Sequence, residues 1–279
     1  MPTLRSKASI TRGSRLILAL CFSAGIASPQ AVTTLQLPAL DINSVGQVLV
    51  QDSSSWYLRN IDGSLTPLTI PNGTPGVPDG VLATWQGLNS SGTIVGSYAP
   101  PGGFTSQGFV RTSAGQYTIF SVPGAASTAP IDINDLGVVV GTYVTSPTSG
   151  GPTRGFLRDA SGQIQLIDIP GYSYTLPQGV NNQGQISGWV YDPISFARRG
   201  FILTSTNATP LLFDLPGAMF TYAHHINNLG EVAGESSDGV AFIRRSNGSF
   251  QTVSIPGAIA VWAYAINENG QDGVFTSLR

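Results

Sequence analysis

Cysteine is almost missing: the 279 residues hold one, Cys21, and it lies in an apolar run near the start of the chain. Once that run is removed the chain can form no disulfide and can use no thiolate, so its stability has to come from burial and hydrogen bonds. Lysine is equally scarce. Lys7 is the only one, and beyond residue 27 the cations are nine arginines against fifteen acids, a net charge of about −6. A mildly acidic chain of this kind is a poor partner for nucleic acid or for an anionic membrane surface. Beyond residue 27 no apolar run is long enough to cross a bilayer as a helix, and no segment carries a 3.6-residue apolar period. Catalytic signatures are lacking too. There is no Gly-x-Ser-x-Gly elbow and no phosphate-binding loop. The only histidines are the adjacent His224 and His225. On a strand, neighbours point to opposite faces, so the pair is not expected to chelate one metal. No cofactor and no bound metal are expected.

What is present begins with a leader. Arg5, Lys7, Arg12 and Arg15 precede an apolar run from Leu16 to Ala27 and then Ser28-Pro29. That order reads as a secretory signal peptide, residues 1–27, with cleavage after Ala27. Residues 28–32 read as a short linker and 33–279 as one repeat domain. The expected location is outside the cytoplasm: secreted, periplasmic or on the cell surface.

The domain is written in repeats. An aliphatic residue, Asn, two variable residues and Gly recur six times, with glycines at 46, 92, 137, 184, 230 and 270. Asn at the first and Gly at the fourth position is the preference of a type I turn between strands. A second phrase, aliphatic-Pro and usually Gly, also occurs six times, as in Val122-Pro123-Gly124 and Ile169-Pro170-Gly171. Pro-Gly suits the centre of a type II turn. Between the turns lie short strand-like runs, about four to each 46-residue unit, the size and strand count of a propeller blade. The fold class is therefore all-β, a β-propeller. Residues 33–43 are read as the later strands of a unit and 266–279 as the first part of one, so the two ends are expected to share a closing blade. Five internal units plus the shared one make six blades, and a five-bladed ring with frayed ends is the alternative.

At these residues the chain resembles the bacterial HAF-type extracellular repeat family. The matching stretches include Asn181-Asn182-Gln183-Gly184-Gln185-Ile186-Ser187-Gly188, Arg199-Gly200-Phe201 and Pro216-Gly217-Ala218. The resemblance spans nearly all of 33–279 and implies export and a repeat fold, with no stated activity. The family's His before the Gly/Ala-Phe pair is replaced by Gln107, Arg154, Arg199 and Val240, so no role of that His carries over.

Stacking the units on the repeat Asn places Asp41, Gly87, Asp132, Gly179, His225 and Ala265 at one position. Equivalent positions share a height around a propeller, so Asp41, Asp132 and His225 are candidates for a polar ring at a channel mouth. The plainer reading is that they cap local turns. Segment 72–80 lengthens one inter-blade connection, and Asp79 with nearby Trp85 is a candidate ligand contact on that rim. Asp168 and Asp214, just before the aliphatic-Pro phrase, read as structural groups bonding the backbone. Gly96, Gly141, Gly188 and Gly234 share one strand position and read as relief of crowding near the axis. The function this supports is an exported binding or interaction scaffold for a polysaccharide, matrix component or protein. The alternatives are an extracellular hydrolase or lyase with acids at the propeller mouth, and a structural cell-surface protein.

Overall fold

Each repeat unit folds as its turn spacing requires, into an antiparallel four-stranded meander. The structure is a computed structural model that describes residues 16–21, 32–35, 39–52, 55–70, 82–99, 105–146, 152–253, 258–266 and 271–278. The strands begin with β1 (Leu16–Cys21), β2 (Val32–Leu35), β3 (Ala39–Ile42), β4 (Val48–Asp52), β5 (Ser55–Arg59) and β6 (Leu65–Leu68). Next come β7 (Leu82–Leu88), β8 (Ile94–Ala99), β9 (Gln107–Arg111), β10 (Tyr117–Phe120), β11 (Ser127–Ile133), β12 (Val139–Val144), β13 (Arg154–Arg158) and β14 (Ile164–Ile167). The chain continues through β15 (Tyr174–Val180), β16 (Ile186–Tyr191), β17 (Arg198–Leu203), β18 (Leu211–Phe213), β19 (Thr221–Ile226), β20 (Val232–Ser236), β21 (Ala241–Arg244) and β22 (Phe250–Val253). The last two are β23 (Ala258–Ile266) and β24 (Gln271–Leu278).

The protein is an all-β propeller. Five blades, I to V, are continuous stretches of chain: β3–β6, β7–β10, β11–β14, β15–β18 and β19–β22. One further four-stranded sheet, in the order β2-β1-β24-β23, joins the two ends of the chain. The first strand of each blade is innermost. These strands lie against one another in succession, and β23 sits between β19 and β3. The make-up of the composite sheet differs from the sequence reading. Residues 39–42 open blade I, and the strand beside β24 is Leu16–Cys21, inside the expected leader. It pairs Leu16 with Thr276 through Cys21 with Gln271, and on its other edge Ile17 with Leu35 through Leu20 with Val32.

The repeat Asn explains how the blades hold together. Within its turn, the Asn134 side-chain oxygen accepts from the backbone of Leu136 (3.0 Å) and Val138 (2.9 Å). Its amide nitrogen donates to the next blade, to the Asn181 carbonyl at 2.8 Å. The same step runs from Asn43 to Asn89, from Asn89 to Asn134 and from Asn181 to Asn227, at 3.0, 3.1 and 2.9 Å. These asparagines are at most 5 % exposed, so each group left without its partner would carry the full cost of desolvation. Only a side chain that both donates and accepts satisfies the turn and the neighbour together.

The aliphatic-Pro-Gly phrase connects successive blades. The Val122, Ile169 and Leu215 carbonyls accept from the residue three on, and Gly124, Gly171 and Gly217 have φ of 77°, 91° and 83°. This is the type II turn that Pro-Gly prefers. A buried Thr secures each: Thr128, Thr175 and Thr221 hydroxyls accept from the Val122, Ile169 and Leu215 N–H at 2.9, 3.0 and 2.9 Å.

The strand glycines are crowded within a blade, not by the axis as expected. A Cβ on Gly188 would lie 2.2 Å from the Leu176 carbonyl oxygen and 2.7 Å from the Phe201 ring. Gly96, Gly141 and Gly234 face the same pair of obstacles, an inner-strand carbonyl and the rings of Phe109, Phe156 and Phe242. Each of those Phe side chains is fully buried. The Gly/Ala-Phe phrase thus supplies the ring that the second-strand glycine accommodates.

Candidate functional site

Every inner strand carries a β-bulge at one place. The register shifts between Ala39 and Asp41, Trp85 and Gly87, Pro130 and Asp132, Pro177 and Gly179, Ala223 and Ile226, and Ala263 and Ala265. A bulge inserts an unpaired residue and re-aims the side chains beside it. The residues two before the repeat Asn resume the pairing just past it in every inner strand but β19, where His225 lies within the bulge.

The structure brings Asp41, Asp132 and His225 together there, lining one cavity of about 50 Å³ below a polar rim that includes Ser44, Ser90 and Asn182. His225 Nδ1 stands 3.4 Å from Asp41 Oδ1, and its Nε2 stands 4.0 Å from Asp132 Oδ1. Both carboxylates also bind backbone. Asp41 accepts from its neighbour Ile42 (2.8 Å) and, across the blade boundary, from Leu88 (2.6 Å). Asp132 accepts likewise from Ile133 and from Val180 of the next blade, both at 2.7 Å. Local capping and convergence on a channel are therefore both true of these acids.

Alternation makes room for the cluster. A Cβ on Gly87 would lie 2.7 Å from the Asp132 Cα, and one on Gly179 would lie 2.8 Å from the His225 Cα. Every second inner strand therefore carries Gly, Gly or the small Ala265 at this level, and the strands between supply Asp, Asp and His. The pattern extends to the rim, where Val45, Leu136 and Leu229 of blades I, III and V are exposed apolar residues and Ser91 and Gln183 hold the same place in blades II and IV. The period is thus two blades. Reading every unit as equivalent hid it, although the order Asp-Gly-Asp-Gly-His-Ala carries it.

Burial pushes the Asp41 carboxyl up to about 7 and Asp132 adds to the rise, against the opposing pull of His225 and of the Leu88 and Ile42 N–H groups. For His225 burial alone acts downward, but the facing Asp132 and Asp41 carboxylates outweigh it and its pKa is raised.

His224 goes elsewhere, as the strand argument requires. Its ring lies 4.8 Å from that of Tyr264, and its Nε2 is 3.8 Å from Glu235. Trp85 is a correction: it is 1 % exposed and packs edge-on against Phe109, with centroids 4.9 Å apart, so it cannot contact a ligand on the rim. Asp79 and segment 72–80 lie outside the described residues. Asp168 and Asp214 also differ from expectation. They pair with Arg154 and Arg199, at 3.1 and 2.8 Å, the arginines that precede the Gly-Phe pairs of blades III and IV. In blade II the corresponding Gln107 donates to Ser121. Pairwise change between repeat units was the signal that would have revealed this.

A larger groove of about 330 Å³ opens on the same turn-bearing face between blades II and III, lined by Asn89, Ser91, Thr93, Asp135, Leu136 and Arg158 among others. Among the described residues no helix is long and apolar enough to cross a membrane.

No protein-family model matches the chain, and no curated protein matches it by sequence. Solved structures do match in fold. A gluconolactonase from Xanthomonas campestris superposes with a TM-score of 0.52 at 12 % identity, covering 94 % of each chain. The Dos1 propeller matches with a TM-score of 0.45 at 12 % identity, over 88 % of this chain and 70 % of that one. Porphyromonas gingivalis dipeptidyl peptidase 4 matches with a TM-score of 0.45 at 11 % identity, over 86 % of this chain and 33 % of that one. At these identities the first likeness speaks to the propeller fold alone.

Proposed function

We propose that the chain is an exported HAF-like repeat protein that binds an extracellular polysaccharide on the face bearing the Asn turns. The observation that carries this reading is the 330 Å³ groove between blades II and III. Its volume falls in the range of ordinary ligand sites. Hydroxyl, amide and guanidinium groups stand there beside the exposed Leu136, a mixture that suits a sugar ring with its polar edge and apolar face. The blades around it are held by buried amide bonds, so the groove is formed before a ligand arrives.

A second reading, hydrolysis of a lactone or glycoside, draws on the meeting of Asp41, Asp132 and His225 and on the activity named for the Xanthomonas campestris structure. Two features weigh against it. Each carboxylate oxygen already accepts a backbone N–H, and a cavity of about 50 Å³ is too small for a sugar ring.

The test is a polysaccharide, lactone and matrix-protein panel, scored for binding and for turnover, with the parent and Leu136→Asp. The expected result is saturable binding of a polysaccharide without turnover, at least about tenfold weaker in the variant, whose melting temperature stays near the parent's. Turnover of a lactone would favour the second reading. Binding confined to proteins, or no binding at all, would sink the first.

A further inference from the structure

The structure assigns to the propeller channel a site for one divalent cation, held by Asp41, Asp132 and His225. It lies beneath the proposed sugar-binding face and does not depend on that reading.

The first ground is donor geometry. One ligand atom from each residue can be chosen so that all three lie within 4.8 Å of one another. Bonds of about 2.0–2.2 Å to nitrogen and oxygen separate ligand atoms by about 3–4 Å. From whichever His225 nitrogen an ion would take, the nearer carboxylate is already at that spacing, 3.4 Å from Nδ1 to Asp41 or 4.0 Å from Nε2 to Asp132, and the third donor lies within 4.8 Å.

The second ground is the state of His225. Its side chain is only 14 % exposed, and its ring nitrogens look onto carboxylates at distances longer than a good hydrogen bond, 3.4 Å from Nδ1 to Asp41 and 4.0 Å from Nε2 to Asp132. A cation would take one of the two nitrogens and leave the other to carry the ring proton.

Charge and support agree. Asp41 is 2 % and Asp132 6 % exposed, and a divalent cation would compensate both buried carboxylates in the place of the protons that the cluster otherwise holds. Each carboxylate oxygen that accepts an N–H keeps a second lone pair for a metal. The four backbone donors act as the outer shell that holds metal-binding carboxylates in place. Because the donors come from blades I, III and V, the ion would tie together strands far apart in sequence. An imidazole nitrogen with two carboxylates suits Zn²⁺ or Mn²⁺ better than Ca²⁺, which prefers an all-oxygen shell.

The experiment is calorimetric titration of chelator-treated protein with Zn²⁺, Mn²⁺ and Ca²⁺, alongside thermal melts. Binding of one Zn²⁺ or Mn²⁺ per chain is expected, with a raised melting temperature and Ca²⁺ much weaker. Affinity should fall by more than about tenfold in His225→Ala and stay unchanged in His224→Ala. Mn²⁺ bound to the unmodified protein should show nitrogen coupling in pulsed electron paramagnetic resonance, a readout that needs no variant to fold. Absence of 1:1 binding, equal affinity in His225→Ala, or bound Mn²⁺ without nitrogen coupling would overturn the site. A metal-binding protein that binds no sugar would leave this site standing and remove only the sugar-binding proposal.

Discussion

At the scale of single residues, the side chains that matter most here serve two partners at once. Asn134 accepts from its own turn and donates to blade IV, so Asn134→Asp removes a buried donor and sets a carboxylate oxygen against the Asn181 carbonyl. The expected cost is about 2 kcal/mol or more by chemical denaturation, and a loss below 0.5 kcal/mol, the ordinary scale for a surface change, would contradict the inter-blade role. Asp41 and His225 make stability depend on pH. Both hold their protons more tightly folded than unfolded. The Asp41 contribution is therefore present at low pH and is lost as pH rises from its ordinary carboxyl range toward about 7, and that of His225 is lost as pH passes its raised pKa. Metal-free protein is expected to melt higher at pH 5 than at pH 8, with a flatter profile in Asp41→Asn; equal slopes in the two proteins would count against this. The Asn turn was legible because its spacing with Gly is local. Its second bond was not, since the acceptor lies 47 residues away and has no mark in the sequence beyond being another repeat Asn.

At the scale of elements, the bulged inner strand and the glycine of the strand beside it form one device. The Gly–Phe packing and the inner-strand carbonyl leave no space for a side chain at Gly188. Gly188→Val is therefore expected to destabilise the protein by about 3 kcal/mol or to prevent its folding, and a variant melting within a degree of the parent would refute the packing. The position was readable as special from recurrence alone. The cause was not, because it lies in Phe201 one strand away and in the tilt of a carbonyl. The Arg154–Asp168 and Arg199–Asp214 pairs belong to the same level. They join adjacent strands, but their partial exposure limits each to a modest contribution.

At the scale of the whole molecule, the two ends of the chain meet in one sheet, and β1 stands between β2 and β24. If residues 1–27 are removed as a leader, β2 loses its only paired neighbour in that sheet, and β24 gains an open edge. Compared with the full chain, a 28–279 protein should show faster amide exchange in 271–278 while blades II to IV stay protected, and identical exchange would show that β1 does not contribute to closure. The all-β class, the length of a blade and the turn phrases could be read from the chain, because each is set by contacts near in sequence or by repetition, whereas the closing sheet expected from residues 33–43 could not, since it pairs strands at opposite ends of the chain. The sequence also placed Asp41, Asp132 and His225 at one height. Folding alone settles that they face one another, that Gly87 and Gly179 make room beside them, and that Trp85 is buried. Those outcomes depend on how strands about 90 residues apart pack around one axis, and nothing local to any of them encodes that distance.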